Sequence, residues 1–224
     1  MKTIIIYGLR RSGNHYLIST ILQQFTNYVH INDTILSYEK YNTYKEIEKT
    51  VSQIDNDWTG FKDVDCVIIS IENQLINNYE LQLFNHIYDI HIMMLIRCPY
   101  SHFSSVWKVY NKDKTMLTYL IKLWKLYAEE FNNPESKHII KVVYDEYVVN
   151  DRYIINTLQK LGINNININN DIEIPYQKSS FKTNEKQRQV YRTINNCNYK
   201  TDINFIKLVK DKDIATMWKS IKPH

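Results

Sequence analysis

Glycine and proline are scarce, with 4 of each in 224 residues. Tyrosine, isoleucine, asparagine and lysine are abundant instead, including 18 tyrosines, a bias that reflects A- and T-rich codons more than chemistry. Composition alone therefore assigns no function. Cysteine is also sparse. Cys66, Cys98 and Cys197 lie too far apart for a disulfide framework or a zinc pair, and read as reduced thiols of a cytosol-like compartment. Long apolar runs are missing: a run such as HIMMLI, His91 to Ile96, is far shorter than the ~20 residues of a membrane-spanning helix. The N-terminus lacks a basic segment followed by an apolar stretch and a small-residue cleavage site. The expectation is a cytoplasmic protein with no membrane partner, in which the sequon Asn32-Asp33-Thr34 is never glycosylated. There is no dense basic stripe either. A net charge of +4 spread along the chain suits an anionic ligand but not a nucleic acid.

What is present is enough for a core. At 44% hydrophobic content the chain fits one domain spanning residues 1–224, with 164–177 as an irregular connection and 178–224 as a helical extension. Short β-rich runs alternate with amphipathic stretches, the pattern of βαβ units in a three-layer α/β fold with a mainly parallel central sheet. Strands are expected at Thr3 to Tyr7, Tyr28 to Ile31, Cys66 to Ile71, Ile90 to Ile96 and His138 to Tyr144. Helices are expected at Asn14 to Phe25, Pro99 to about Tyr110, Met116 to Phe131, Asp151 to Leu161 with Gly162 as its stop, Asn184 to about Ile194, and Asn204 to Ile221. The basic residues Lys178, Lys182, Lys186, Arg188 and Arg192 most simply form a solvated helix face.

The chemistry begins at IIIYGLRRSGNHYL, Ile4 to Leu17. Gly8 and Gly13 have the spacing of the phosphate-binding pattern G-x-x-x-x-G-K-S/T, but Asn14 stands at the lysine and His15 at the metal-binding hydroxyl. A glycine-framed turn from strand to helix still directs backbone N–H groups and the positive end of a helix dipole at one oxyanion. Positive charge is supplied earlier, by Arg10 and Arg11. A sulfuryl group on a phosphate carries less negative charge than a phosphoryl group, so hydrogen bonds and one or two fixed cations can serve where phosphoryl transfer recruits a divalent metal. No metal site is expected. The second stretch, LIRCPYSHFSSV, places Arg97 at the carboxyl end of an inner strand and Ser105 eight residues on, a guanidinium and a hydroxyl able to converge on one phosphate.

YGLRRSGNHYL and LIRCPYSHFSS together resemble the two nucleotide-binding signatures of sulfotransferases that use 3′-phosphoadenosine 5′-phosphosulfate (PAPS). In that family a loop of the type (K/R)-S-G-T-T binds the 5′-phosphosulfate, matched by Arg11, Ser12 and Gly13. An R-x-P segment with a later serine binds the 3′-phosphate, matched by Arg97, Pro99 and Ser105. KVVYDEYVVNDRYIINTLQKLGI is similar to the family's strand, Y-E-x-L-like turn and short helix. The departures are Asn14 and His15 in place of a threonine pair and arginine at position 11, which stays protonated and would stabilise the bridging oxygen without shuttling a proton. No clear counterpart of the family's basic nucleotide-covering loop is evident.

The resemblance implies a P-loop NTPase-like sulfotransferase fold and transfer of a sulfuryl group from PAPS to a hydroxyl or amine, leaving 3′-phosphoadenosine 5′-phosphate (PAP). Arg10, Arg11, Ser12, Gly13, Asn14, His15, Arg97 and Ser105 would hold the nucleotide, with Arg11 also acting on the leaving group. The acceptor, whether carbohydrate, peptide tyrosine or small molecule, needs a base. Asp33, Glu72 and, less simply, His30 are the candidates near strand ends, and either carboxylate is equally a residue type that caps helices. Two rival readings share the loop: a nucleotide or small-molecule kinase, and a nucleotide-binding protein without turnover.

Overall fold

β-Branched side chains favour the pleated, doubly covered strand, and the isoleucine- and valine-rich runs form the sheet. The computed structural model describes residues 1–32, 53–54, 64–76, 89–168 and 202–221. Its strands are β1 (Lys2–Gly8), β2 (Tyr28–Asn32), β3 (Gln53–Ile54), β4 (Cys66–Glu72), β5 (Ile90–Ile96) and β6 (Ile139–Val143). They lie in the order β3-β2-β4-β1-β5-β6, with β2, β4, β1, β5 and β6 parallel and β3 antiparallel on the edge. The parallel strands follow the sequence expectation within a residue or two. β6 stops before Tyr144, which begins a short helix.

The helices are α1 (Asn14–Leu22), α2 (Pro99–Val109), α3 (Lys114–Asn132), α4 (Tyr144–Tyr147), α5 (Asp151–Lys160), α6 (Ile203–Val209) and α7 (Lys212–Ile221). Alternate strand residues divide the core into two layers. On one face Ile4, Ile6, Ile68, Met93 and Leu95 pack with Leu17, Ile18 and Ile21 of α1 and with Ile154 and Leu158 of α5. On the other, Ile5, Tyr7, Ile69 and Met94 pack with Phe103 and Trp107 of α2, Leu120 and Trp124 of α3, and Phe205 and Ile214 of the C-terminal helices. Burying each of these large side chains contributes about 1.5–3 kcal/mol, so neither layer is dispensable.

The helix ends follow local rules. Asp113 accepts from the amides of Thr115 and Met116 to start α3, and Asn150 from that of Tyr153 to start α5. After α5 the chain turns at Gly162 with φ 72°, and Ile163 N–H donates to Leu158 O at 3.1 Å, as the glycine stop requires. The single helix expected from Asn204 to Ile221 is two. Asp211 interrupts it: its side chain accepts from Asp213 N–H at 2.8 Å, opening α7, and forms an ion pair with Lys125 of α3 at 2.6 Å. Local capping and a tertiary ion pair thus override a continuous apolar period. The helix expected at Asn184 to Ile194, the basic cluster from Lys178 to Arg192, and Cys197 lie outside the described residues. Among the described residues no helix is long and apolar enough to cross a membrane.

This topology aligns the carboxyl ends of β4, β1, β5 and β6 along one edge, with Gly8 in register with Glu72 on one side and Leu95 on the other.

Candidate functional site

β1 ends at Gly8 and the chain reverses into α1 through Leu9 to Gly13. Ser12 N–H donates to Leu9 O at 3.0 Å, closing a turn in which Arg11 takes φ 68° and Gly13 φ 103°. A left-handed arginine costs about 1–2 kcal/mol relative to an ordinary conformation, so contacts around the loop must hold it there. The first bonds of α1 run from Tyr16 and Leu17 to Gly13 O, leaving the amides of Asn14 and His15 at the positive end of the helix dipole.

Two fasteners come from the end of β4 and the residue after it. Glu72 accepts from Arg10 Nε and Asn14 Nδ2, each at 3.1 Å, and Asn73 Oδ1 accepts from Arg10 N–H at 3.0 Å. Asn14 is 4% exposed, and its Oδ1 also accepts from Ser12 Oγ at 2.9 Å. The residue at the lysine position therefore folds beneath the loop. It also explains Gly8, since a Cβ there would lie 2.0 Å from Asn14 Oδ1.

β5 and α2 supply the opposite wall. Arg97 is 3% exposed; its Nη1 donates to Arg11 O at 2.9 Å, its Nε to Ser101 Oγ at 3.0 Å, and its Cζ lies 5.1 Å from the centre of the Tyr144 ring. The carbonyl of Arg97 itself accepts from Trp124 Nε1 at 3.0 Å, which anchors the end of β5 in the core. Asp145, just past β6, accepts from Cys98 N–H at 2.6 Å and so fixes the peptide between Arg97 and Pro99, the first residue of α2. His102 Nε2 lies 2.7 Å from Arg10 O. Tyr144 closes the floor, because its ring occupies the space beside Gly13.

The electrostatics favour an anion. Burial first, and then the neighbouring Arg97 guanidinium, lower the pKa of Arg11. Two buried guanidiniums side by side repel, and the negative charge of a bound ligand would relieve that repulsion. Arg10, by contrast, is already paired with Glu72. Burial raises the Asp145 carboxyl to about 6, and the Cys98 amide and Arg97 draw it partly back. The residues present thus fit a ligand that bears phosphate or sulfate groups, with loop amides and two arginines to meet its charge.

The structure brings Arg10, Arg11, Ser12, Gly13, Asn14, His15, Glu72 and Arg97 to one sheet edge. Ser105 is half-buried in α2, one helical turn beyond the Ser101 that Arg97 contacts. Asp33 lies outside the described residues. His30 is buried, with Nε2 3.0 Å from Ser70 Oγ, and burial followed by His15 pushes its pKa to about 3, which takes it out of contention as an exposed base. Tyr144 and Asp145 belong to the Y-E-x-L-like turn, whereas no sequence pattern marks Asn73, Ser101 or His102 as a site residue. His102 and Ser101 sit inside LIRCPYSHFSS at helical spacing from the strand end, a pattern that marks one face of α2, but no linear rule says that this face meets the loop.

No protein-family model matches the sequence, and no curated protein sequence matches it. Among solved structures, the fold is similar to the sulfotransferase domain of the Synechococcus PCC 7002 olefin synthase, with a TM-score of 0.54 and 11% identity over 100% of this chain and 94% of that one. It is similar also to a sulfotransferase from Alicyclobacillus acidocaldarius, with a TM-score of 0.50 and 10% identity over 97% and 99% of the two chains. Mouse sulfotransferase SULT7A1, solved in complex with PAP, is matched at a TM-score of 0.47 and 13% identity over 99% and 90%. At these identities the first two likenesses show shared architecture alone. The chain has the α/β, P-loop-like fold of the sulfotransferases.

Proposed function

We propose that the chain is a sulfotransferase that moves a sulfuryl group from PAPS to a hydroxyl or amine acceptor. One observation carries the reading: the guanidinium of Arg97, from the end of β5, lies against the loop that presents the desolvated Arg11, while the lysine position is filled by a buried asparagine bonded to Glu72. A kinase of this architecture places a mobile cation where Asn14 is tucked away.

When bound, the nucleotide supplies the sulfuryl group and a phosphate leaving group. The amides of Gly13 to His15 and the Arg11 side chain hold the 5′-phosphosulfate, the Ser12 N–H being committed to Leu9 O within the turn. Arg11 stabilises charge on the bridging oxygen as the sulfur–oxygen bond breaks and the acceptor's bond to sulfur forms. Arg97 and Ser105 hold the 3′-phosphate, with Ser101 Oγ accepting from Arg97 Nε. Glu72 takes the acceptor's proton, oriented by Arg10 and Asn14, and Asp33 is the alternative base. Fixed arginine charge does here what a divalent ion does in phosphoryl transfer. Carbohydrate, peptide tyrosine and small-molecule acceptors all fit this chemistry.

Calorimetric titration of PAP and adenosine 5′-phosphate against wild type and Arg97→Ala tests the assignment. Arg97→Ala is expected to weaken PAP by at least tenfold more than adenosine 5′-phosphate, the scale of one charge-assisted contact. Equal losses refute the 3′-phosphate assignment. Magnesium-dependent binding of ATP in preference to PAP would instead establish the kinase reading, and PAP binding without sulfate transfer across a broad acceptor panel would establish a binder without turnover.

A further inference from the structure

We propose that His102 is a positioning residue of the anion-binding loop, holding the Arg10 carbonyl so that the amide N–H of Arg11 faces the ligand. The inference rests on the anion-site reading above and assigns a role to a residue that lies within the second signature stretch but is not one of the positions matched there.

His102 stands in the second turn of α2, fully buried, with Nε2 2.7 Å from Arg10 O. A carbonyl oxygen only accepts, so Nε2 carries the proton and the imidazole is the Nε2–H tautomer. Its Nδ1 is buried with no partner among the described residues, as a neutral ring allows and a charged one would not. Burial accordingly pushes the pKa to about 3, with Arg97 and Arg11 adding to the shift, so the ring stays neutral at ordinary pH.

In a trans peptide the C=O and the following N–H point in opposite directions, and the described chain contains no cis bond. Drawing Arg10 O toward α2 therefore turns Arg11 N–H to the opposite side of the loop. Arg97 engages the next carbonyl, Arg11 O, at 2.9 Å, and the N–H across that peptide, from Ser12, is taken up by Leu9 O within the turn. A concavity that binds anions must show N–H groups and hide carbonyls, whose partial negative charge would repel the ligand. Two neighbouring loop carbonyls are engaged from this side, the first by His102 of α2 and the second by Arg97 at the end of β5. It also supports the left-handed conformation of Arg11, φ 68°, which has no glycine to ease it.

The experiment compares wild type, His102→Leu and His102→Gln. Glutamine Nε2 reaches about as far as imidazole Nε2 and can donate to the same carbonyl, while leucine fills the space without donating. Affinities for PAP and adenosine 5′-phosphate are measured by calorimetry well below each variant's melting temperature. His102→Leu is expected to weaken both by a similar factor of about ten, preserving their ratio, and His102→Gln to recover most of the loss. A purely structural histidine would lower the melting temperature and leave the affinities of the folded protein within twofold of wild type, which would overturn the proposal. If wild type binds neither nucleotide, the sulfotransferase reading fails, and the positioning role is decided in the ligand-free protein by nuclear magnetic resonance. There the His102 ring should report the Nε2–H tautomer, and the Arg11 amide resonance should shift in His102→Leu and return in His102→Gln. An Nδ1–H tautomer, or an unmoved Arg11 resonance, would also overturn the proposal.

Discussion

Replacing Gly13 by alanine should be among the most destabilising single-methyl additions in this chain, and the cost separates into two parts. The backbone at Gly13 has φ 103°, which an L side chain resists by about 1–2 kcal/mol. The added Cβ would also lie 2.0 Å from Tyr144 Cε2 and 2.3 Å from Cδ2. That ring cannot swing aside freely, because Tyr16 meets it edge-on at 6.4 Å between centroids and the Arg97 guanidinium sits 5.1 Å from its centre. Overpacking of this kind adds about 1–3 kcal/mol, for a total of about 2–5 kcal/mol. In a chain of this size each kcal/mol lowers Tm by about 2–4 °C. Equilibrium unfolding in urea of wild type, Gly13→Ala, Tyr144→Ala and the double variant isolates the contact. With the ring removed, Gly13→Ala should cost only the backbone part, about 1–2 kcal/mol, so that the cycle shows a coupling of about 1–3 kcal/mol. The same cost with and without Tyr144 would refute the packing of the ring on the loop, and a total below about 1 kcal/mol would refute the strained turn itself.

Glu72→Gln separates a base from a fastener: if Glu72 takes the acceptor's proton, steady-state turnover should fall by about 10²–10⁴-fold while PAP affinity changes little, whereas a parallel loss of both would leave it only a loop support. Stability should decline in acid. His30 and His102, with folded pKa values pushed to about 3 by burial from an ordinary 6.5, take up protons first in the unfolded chain, so their contribution is full above 6.5 and shrinks toward 3. Each loses about 1.4 kcal/mol per pH unit in that range. Asp145 acts in the opposite sense, because its folded pKa of about 6 lies above the ordinary 3.8, and its cost at neutral pH fades between those values. The net slope between pH 6 and 3.8 from these groups is that of about one histidine. Urea unfolding across that range should show the ramp, flattened in His30→Gln. A flat wild-type profile would show that the two rings are not held neutral.

The strands and the loop were legible because their causes are local. β-Branched alternation and continuous apolar runs mark β1, β4 and β5, the glycine spacing marks the turn, and Pro99 and Gly162 punctuate α2 and α5 at the positions expected of them. The break between α6 and α7 was not legible, since Asp211 both caps locally and reaches across to Lys125 of α3. Asn14 read from sequence as a donor toward the ligand. Its short amide instead reaches Glu72, a strand neighbour 58 positions away, beneath the loop.

The linear order of residues determined that a strand, a glycine-framed turn and a helix would follow one another around residues 8–15, and that Arg97 would leave a strand end with a helix behind it. Only the tertiary structure decided how these pieces meet. Parallel register sets Gly8 beside Glu72 and Leu95, Arg97 reaches Arg11 O across 86 positions, and His102 reaches Arg10 O across 92. Short-range patterning follows from the conformational preferences of neighbouring residues. Contacts between distant segments follow from the order in which strands join the sheet, and no local preference carries that information.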